Sequence, residues 1–390
     1  MPTHPSYRAL FLGDVHMSNK LPHARTGADG ITDRLKDQIR MWEDLERYRS
    51  KNGIDHVWIL GDLFDRALVD AATLTATVKA LVRIASAGGV VRIVPGNHDT
   101  DDPKASRFVV DALDSMGLDG LISYGGILDG VGVVDGIFPF SDWLTLWPMP
   151  FAPIADNRDY LAKIAPKVAK TPGSVLLMHN SVVGARHMGW TCDAGLEADE
   201  VCAGFDAVLS SHFHTAQEFG PCGRYLGAPM QFGFGDEGEE RGFWDVTFRP
   251  SKKGPVKIDW ELVHVFAPEF WTVKWEDLAT AGGDDDPLEQ VREGDYVLIE
   301  VKATAAEFEK LRRSVDMHVE DLEEQGFKVK VHHDVVYHHE TRLEATDGGA
   351  EIAGPDRLML EYVEHVGVTK GMDRENLLAV GRKIHEEATR

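Results

Sequence analysis

From Tyr7 to about Val265 the chain repeats one pattern: a short apolar run ends in glycine or a polar cluster, and a helical period follows. ALFLGD, HVWILGD and VVRIVPGN read as buried strands. Between the first two, Ile31, Leu35, Ile39, Trp42 and Leu45 fall on one face of a helix that Gly53 closes. A second helix is expected from about Val69 to Ser86, ahead of Gly88 and Gly89. Strand alternating with helix predicts an α/β sheet that is at least partly parallel. Further strands are expected at Ser174–Met178 and Ala207–Ser210. The stretch from Arg224 to Val265 is richer in strands, with GFWDVTF and VKIDWELVHV.

The pattern then changes. TAGGDDDP at 280–287 reads as a flexible acidic loop, and DYVLIEV as a strand. Phe308, Leu311, Val315, Val319 and Leu322 place a helix at about Ala305 to Gln325, and FKVKVHHDVVY alternates like another strand. This β-α-β block predicts a small second domain. A Gly- and acid-rich stretch, ATDGGAEIAGPD, separates it from a tail with two short helices, about Asp356–Val366 and Arg374–Ala388. The division is therefore 1–265, 266–340 and 341–390.

Composition narrows the function. Of 390 residues 43% are apolar and 27% charged, which excludes disorder of the whole chain. No apolar run approaches the roughly 18–20 residues of a membrane span, so no membrane association is expected. The opening MPTHPSYRALFLGD lacks the basic-then-apolar pattern of a signal peptide. Three cysteines without CxxC spacing suit a reducing compartment, and a cytoplasmic location is expected. The 41 Lys and Arg against 64 Asp and Glu leave a net charge of −23. Such a chain repels nucleic acid at long range unless a local basic patch, divalent metal or a basic partner intervenes.

Five clusters stand at or near predicted strand ends: GDVH (Asp14, His16), GDLFD (Asp62, Asp65), GNHD (Asn97, His98, Asp99), MHN (His179) and SHFH (His212, His214). Singly, each reads most simply as a turn or a hydrogen-bonded residue. As an ordered set of oxygen and imidazole groups they would be expensive to bury without a purpose. Residues i and i+2 of an extended segment point the same way, so Asp14 and His16 can reach one ion, and His212 and His214 one site. Gly13, Gly61 and Gly96 are expected to let the backbone turn sharply before each ligand.

The order D-x-H, G-D-x-x-D, G-N-H-D, H, H-x-H resembles that of the calcineurin-like metallophosphoesterases. The family's last motif is G-H-x-H, and Ser211 stands in its glycine position. The resemblance implies a four-layer αββα sandwich with a small α/β capping domain and a helical C-terminal tail. It implies that Asp14, His16, Asp62 and His214 bind one metal and that Asp62, Asn97, His179 and His212 bind the other, with Asp62 bridging. His98 would face the substrate phosphate, and Asp65 would orient it through a carboxylate–imidazole bond. Mixed carboxylate, amide and imidazole ligands suit two divalent ions, Mn²⁺ first, with Mg²⁺, Fe²⁺ or Zn²⁺ as alternatives.

Within this superfamily GDLFDR, VPGNHD and LGAPMQFGFGDEGEERGFW are similar to segments of SbcD-type DNA repair nucleases, including phage recombination nuclease subunits. That resemblance implies a Mn²⁺-dependent DNA exonuclease with some single-strand endonuclease action, a homodimer, and an SbcC-type coiled-coil ATPase as partner. Leu358, Tyr362, Leu377, Val380 and Ile384 would form the tail's docking face for that ATPase. Lys104, Arg107, Arg186 and His187 are candidate DNA contacts, and RPSKKGPVK at 249–257 is the densest basic segment. His332, His333, His338 and His339 are expected at a surface or edge, and Trp143 and Trp147 in core or interface. The competing readings are a small-molecule phosphodiesterase or nucleotidase with the same site, and a non-catalytic assembly protein.

Overall fold

The computed structural model describes residues 6–115, 121–123, 138–187, 189–252, 254–280 and 286–335. In chain order the elements are β1 (Tyr7–Leu12), α1 (Asp33–Asn52), β2 (His56–Leu60), α2 (Ala71–Ser86), β3 (Val90–Val94), α3 (Asp111–Asp114), β4 (Leu121–Ser123), β5 (Phe138–Ser141), β6 (Leu144–Met149), α4 (Ile154–Val168) and β7 (Ser174–His179). They continue with β8 (Arg186–His187), β9 (Trp190–Thr191), α5 (Ala198–Cys202), β10 (Ala207–Ser211), β11 (Gln217–Phe219), β12 (Gly223–Tyr225), β13 (Gly242–Arg249) and β14 (Lys257–His264). The last group is β15 (Phe270–Lys274), α6 (Trp275–Thr280), β16 (Tyr296–Ala303), α7 (Ala305–Glu324) and β17 (Lys328–Val335).

Two six-stranded sheets carry the body. The first runs β14-β13-β1-β2-β3-β4, with β1 to β4 parallel and β13 antiparallel to β1. The second runs β11-β12-β10-β7-β6-β5, with β12, β10, β7 and β6 parallel. Period-two alternation sorts the apolar residues of the first sheet between its faces. Ala9, Phe11, Trp58 and Leu60 enter the core shared with Leu146, Leu176, Met178 and Val208 of the second sheet. Leu10, Leu12, Val57 and Ile59 join Leu35, Trp42 and Leu45 of α1 and Leu81 and Ile84 of α2. On the far side, α4 contributes Tyr160, Leu161, Ile164 and Val168 to the second sheet's core. The order is helix, sheet, sheet, helix. Each fully buried Leu, Val, Ile or Phe contributes about 1.5–3 kcal/mol.

The α1 stripe matches its period. Leu35, Trp42 and Leu45 are buried, the Thr32 hydroxyl accepts from Leu35 N at 3.2 Å, and Gly53 closes the C-terminus in the left-handed region. The third sheet, β15-β16-β17, is wholly parallel. α7, with a reciprocal Thr304–Glu307 cap, covers one face around Val297, Ile299, Val301, Val315 and Leu322. These three sheets and the β8-β9 pair belong to one unit, Met1–Val336. The third is fastened to the body by Lys328 Nζ to Asp33 at 2.7 Å and Arg25 to Glu323 at 3.0 Å. Phe270 N also donates to Gln231 Oε1 at 2.7 Å, and Arg34 lies buried over the Phe270 and Tyr296 rings.

Trp147 is fully buried and Trp143 nearly so. His332 lies exposed on β17, an edge strand, while the half-buried His333 stacks on Phe308 at 4.0 Å. Leu358, Tyr362, Leu377, Val380 and Ile384, like His338 and His339, lie outside the described residues. Among the described residues no helix is long and apolar enough to cross a membrane.

Candidate metal centre

Parallel pairing carries the five motifs to one place. β1, β2 and β3 end side by side, releasing Asp14 and His16, then Asp62, then Asn97 and His98. β7 and β10 end side by side in the other sheet, with Ser211 paired to His179 and His212 following. The loops after β1 and β2 are zipped together by Asp14 N to Gly61 O (3.1 Å), His16 N to Asp62 O (2.9 Å) and Met17 N to Leu63 O (2.8 Å). Side chains far apart in sequence therefore meet where the two sheets' strands run out.

Asp62 is central. Its Oδ2 lies 3.2 Å from His179 Nε2 and 3.7 Å from His16 Nε2, and its Oδ1 accepts from His98 N at 2.8 Å. Asn97 Oδ1 is 3.1 Å from His179 Nε2 and 2.9 Å from His212 Nδ1. His16 Nε2 and His214 Nε2 face each other at 3.2 Å. The His212 amide donates to the Asp14 carboxylate at 3.1 Å. Ligand atoms of Asp14, His16 and His214 lie within 4.8 Å of one another, as do those of Asp14, Asp62 and His179. All seven side chains assigned to metal by motif are thus in one cluster, and His98 borders it.

Electrostatics fits a cation. Burial pushes the Asp14 carboxyl up to about 7 and the imidazoles of His16, His212 and His214 down to about 3, 3 and 4, so all three rings are neutral at pH 7. Burial also opposes charge on Asp62 and His179, but each holds the other ionised: Asp62 stays well below the usual carboxylate range and His179 rises to about 9. His179 Nδ1 donates to Leu60 O at 2.9 Å, so a neutral ring would aim its Nε2 lone pair at the oxygens of Asp62 and Asn97. His16 and His214 likewise set nitrogen against nitrogen. Lone pairs converging at such distances repel unless a proton or a positive ion lies among them. The donor set of carboxylate, amide and imidazole suits a divalent transition metal.

The backbone is strained where this happens. Asp14, His16, Asp62 and His212 have φ of 51°, 47°, 50° and 117°. Such residues cost roughly 1–3 kcal/mol each and cluster at functional sites. Gly61, at φ 83°, supports both a turn and a close approach: a Cβ there would lie 1.8 Å from His179 Nδ1. Gly13 and Gly96 are not left-handed. They provide close approach rather than a turn, because a Cβ would meet Ser211 Oγ at 2.0 Å or Asp62 Oδ1 at 2.1 Å. The space left by Gly13 thus accommodates Ser211, the family's missing glycine.

His98 differs in detail from expectation. Its Nδ1 lies 2.6 Å from the backbone carbonyl of Asp65, while the Asp65 carboxylate pairs with Arg66 at 2.9 Å. The carbonyl, not the carboxylate, orients the ring. Sequence reasoning placed Asp99 in the GNHD cluster without giving it a role. Its buried carboxylate accepts from Gly96 N (2.9 Å) and Phe64 N (3.0 Å), bracing two ligand loops against each other, and burial raises it to about 7.

Above the cluster opens a cleft of about 410 Å³, walled by Phe232, Phe213, His187 and Trp190 besides the motif residues. His187, an expected DNA contact, faces this cleft, whereas Arg186, Lys104 and Arg107 are exposed outside its lining. The model of one protein family, described as calcineurin-like phosphoesterase, matches residues 7–216. The chain belongs to the calcineurin-like phosphoesterase family.

As a member, this calcineurin-like chain is a phosphoester hydrolase. It is similar over nearly its whole length to "Exonuclease subunit 1" of Enterobacteria phage T4, at 23% identity over 98% of this chain and 99% of that protein. It is 21% identical to "DNA double-strand break repair protein Mre11" of Saccharolobus solfataricus, over 53% of this chain and 49% of that one. Among solved structures, a dimetal phosphatase from Danio rerio aligns with a TM-score of 0.41 and 12% identity, over 66% of this chain and 99% of that one.

Proposed function

We propose that this calcineurin-like phosphoesterase is a DNA nuclease holding two divalent metal ions, and that it works as the nuclease subunit of an SbcCD-type repair or recombination complex. The observation that carries the reading is the similarity to a phage exonuclease subunit from end to end, third sheet and tail region included. Residues 1–265 would be the nuclease domain, 266–340 a cap that guides DNA, and 341–390 the tail that docks an SbcC-type ATPase through Leu358, Tyr362, Leu377, Val380 and Ile384. The working form would be a homodimer. Lys104, Arg107, Arg186 and His187 would meet the DNA backbone, and the partner would supply the affinity that a charge of −23 denies.

Asp14, His16, Asp62 and His214 would hold one ion, and Asp62, Asn97, His179 and His212 the other, Mn²⁺ being favoured. When bound, the pair supplies Lewis acidity and lowers the pKa of an attacking water. The protein does the rest. His98 Nδ1 donates to the Asp65 carbonyl, so Nε2 faces the cleft. His98 would hold the phosphate through Nε2 and supply a proton there to the departing oxygen. The His98 amide, bonded to Asp62, fixes this ring relative to the ligands.

A nuclease assay on end-labelled DNA, with Mn²⁺ and Mg²⁺ in parallel, with chelator, and with and without a coexpressed ATPase, tests the reading. His98→Ala is expected to lower kcat by roughly 10²–10⁴-fold while Mn²⁺ affinity stays near parental. No cleavage of DNA under any condition, with good turnover of a mononucleotide ester, would instead support a small-molecule phosphodiesterase.

Metal binding should depend on pH with a definite sign. Asp14 near 7 and His179 near 9 carry protons in the metal-free site below those values, and a cation must displace them. Mn²⁺ affinity should therefore rise between about pH 6 and 9, with protons released. Calorimetry in two buffers of different ionisation enthalpy reads that release. A flat affinity without it would remove Asp14 and His179 from the ligand set.

A further inference from the structure

We propose that Arg241, locked to Asp236, is a positioning residue for the metal centre: it fixes the backbone of His214 and the aromatic wall Phe232. The proposal rests on the dinuclear reading above. Arg241 and Asp236 are 8% and 4% exposed. One guanidinium nitrogen, Nη2, donates to Asp236 Oδ1 at 2.9 Å, and the other, Nη1, donates to the carbonyl of His214. The remaining oxygen of Asp236 accepts the Phe232 amide at 2.7 Å. Arg241 Nη1 and Asp236 Oδ2 are thus committed to backbone beside the cluster, Nη2 and Oδ1 to each other, and the buried Arg241 Nε has no partner among the described residues.

The two backbones so held are those that shape the site. The His214 carbonyl receives a second donor, Ala228 N, at 2.9 Å, so its peptide is clamped from two segments. The Phe232 ring lies edge-on to His16 at 5.3 Å and tilted on His214 at 5.3 Å, in the cleft wall. Loss of the pair would free the Phe232 amide and leave the His214 peptide with one donor, Ala228 N.

Stability alone does not call for such a pair. A buried ion pair is often no more stabilising than apolar residues of like volume, because both charges lose their hydration. The geometry here is that of a fork spanning a carboxylate and a carbonyl, which a single ammonium cannot reproduce. The same loop is also moored to the third sheet. Gln231 Oε1 accepts from Phe270 N, and Glu237 Oε1 from Thr272 N at 2.9 Å, so the mooring and the fork flank Phe232 on both sides.

The test titrates Mn²⁺ into full-length metal-free protein by calorimetry, with thermal unfolding of each sample followed in parallel. The double variant Asp236→Leu with Arg241→Met removes both charges and is expected to fold, yet to bind Mn²⁺ about 10–100-fold more weakly, as loss of outer partners of metal ligands does. Arg241→Lys keeps the charge on Asp236 but not the fork, and is expected to lose about tenfold. If the double variant does not fold, Arg241→Lys decides alone. Parental affinity in folded Arg241→Lys, or in the folded double variant, overturns the positioning role while leaving the dinuclear reading intact. A parental protein that binds no Mn²⁺ overturns that reading and this proposal together.

Discussion

Asp62→Asn is expected to abolish phosphodiester hydrolysis, with a loss beyond the roughly 10⁴-fold upper range for a single general acid or base. The substitution preserves volume and leaves an oxygen for the His98 amide. It removes the carboxylate that lies nearest the Nε2 atoms of His179 and His16, at 3.2 and 3.7 Å. Two dications placed side by side repel each other strongly in a site buried from water, and a shared negative charge is what offsets that repulsion. On the proposed dinuclear reading, calorimetric stoichiometry should fall from two Mn²⁺ to one or none, while the far-ultraviolet circular dichroism stays parental. Retention of more than a tenth of the activity would show that the chemistry lies elsewhere.

Gly61→Ala should weaken the fold and the metal centre together. The new Cβ would lie 1.8 Å from His179 Nδ1, a ring fully buried and hydrogen-bonded to Leu60 O. It also forces a side chain onto a φ of 83°. Strain of about 1–3 kcal/mol joins overpacking of about 1–3 kcal/mol, out of a total stability on the order of 5–15 kcal/mol. Gly30→Ala is the control: φ is 74°, but nothing lies within 4 Å of the added carbon, so only the backbone cost applies. Denaturant midpoints should order parental, Gly30→Ala, Gly61→Ala from most to least stable. Mn²⁺ binding should weaken only in the last, because only there is His179 displaced. Equal midpoints for the two variants would mean that the contact with His179 is relieved at no cost.

Much of this was readable in advance, for a physical reason. Buried parallel strands are continuous apolar runs, and β1, β2, β3, β7 and β10 each end at a glycine, proline, serine or histidine that breaks the run, so strand and site are announced by the same few residues. Helix α1 declared itself by its stripe and by Gly53. What escaped is equally specific. β6 contains Pro148, and α4 follows Pro153 and contains Pro166, so proline hides both from a periodicity argument. β15 spans five residues, too few to show a period. The link between Asp65 and His98 was foreseen, but whether it ran through carboxylate or carbonyl depends on a local turn that no spacing encodes. Asp99 and Arg241 lie in segments the sequence singles out, GNHD and LGAPMQFGFGDEGEERGFW, but Phe64 N and the His214 carbonyl, which they hold, are distant in sequence, so no spacing announces those contacts.

The four left-handed ligand-bearing residues have one more implication. Asparagine or glycine would sit more comfortably at 14, 16, 62 and 212 than aspartate or histidine does. The sequence that would make this scaffold hardest to melt is therefore not the sequence that can work. Laboratory evolution for heat resistance, run without a screen for turnover, would drift toward erasing the catalyst while perfecting its container.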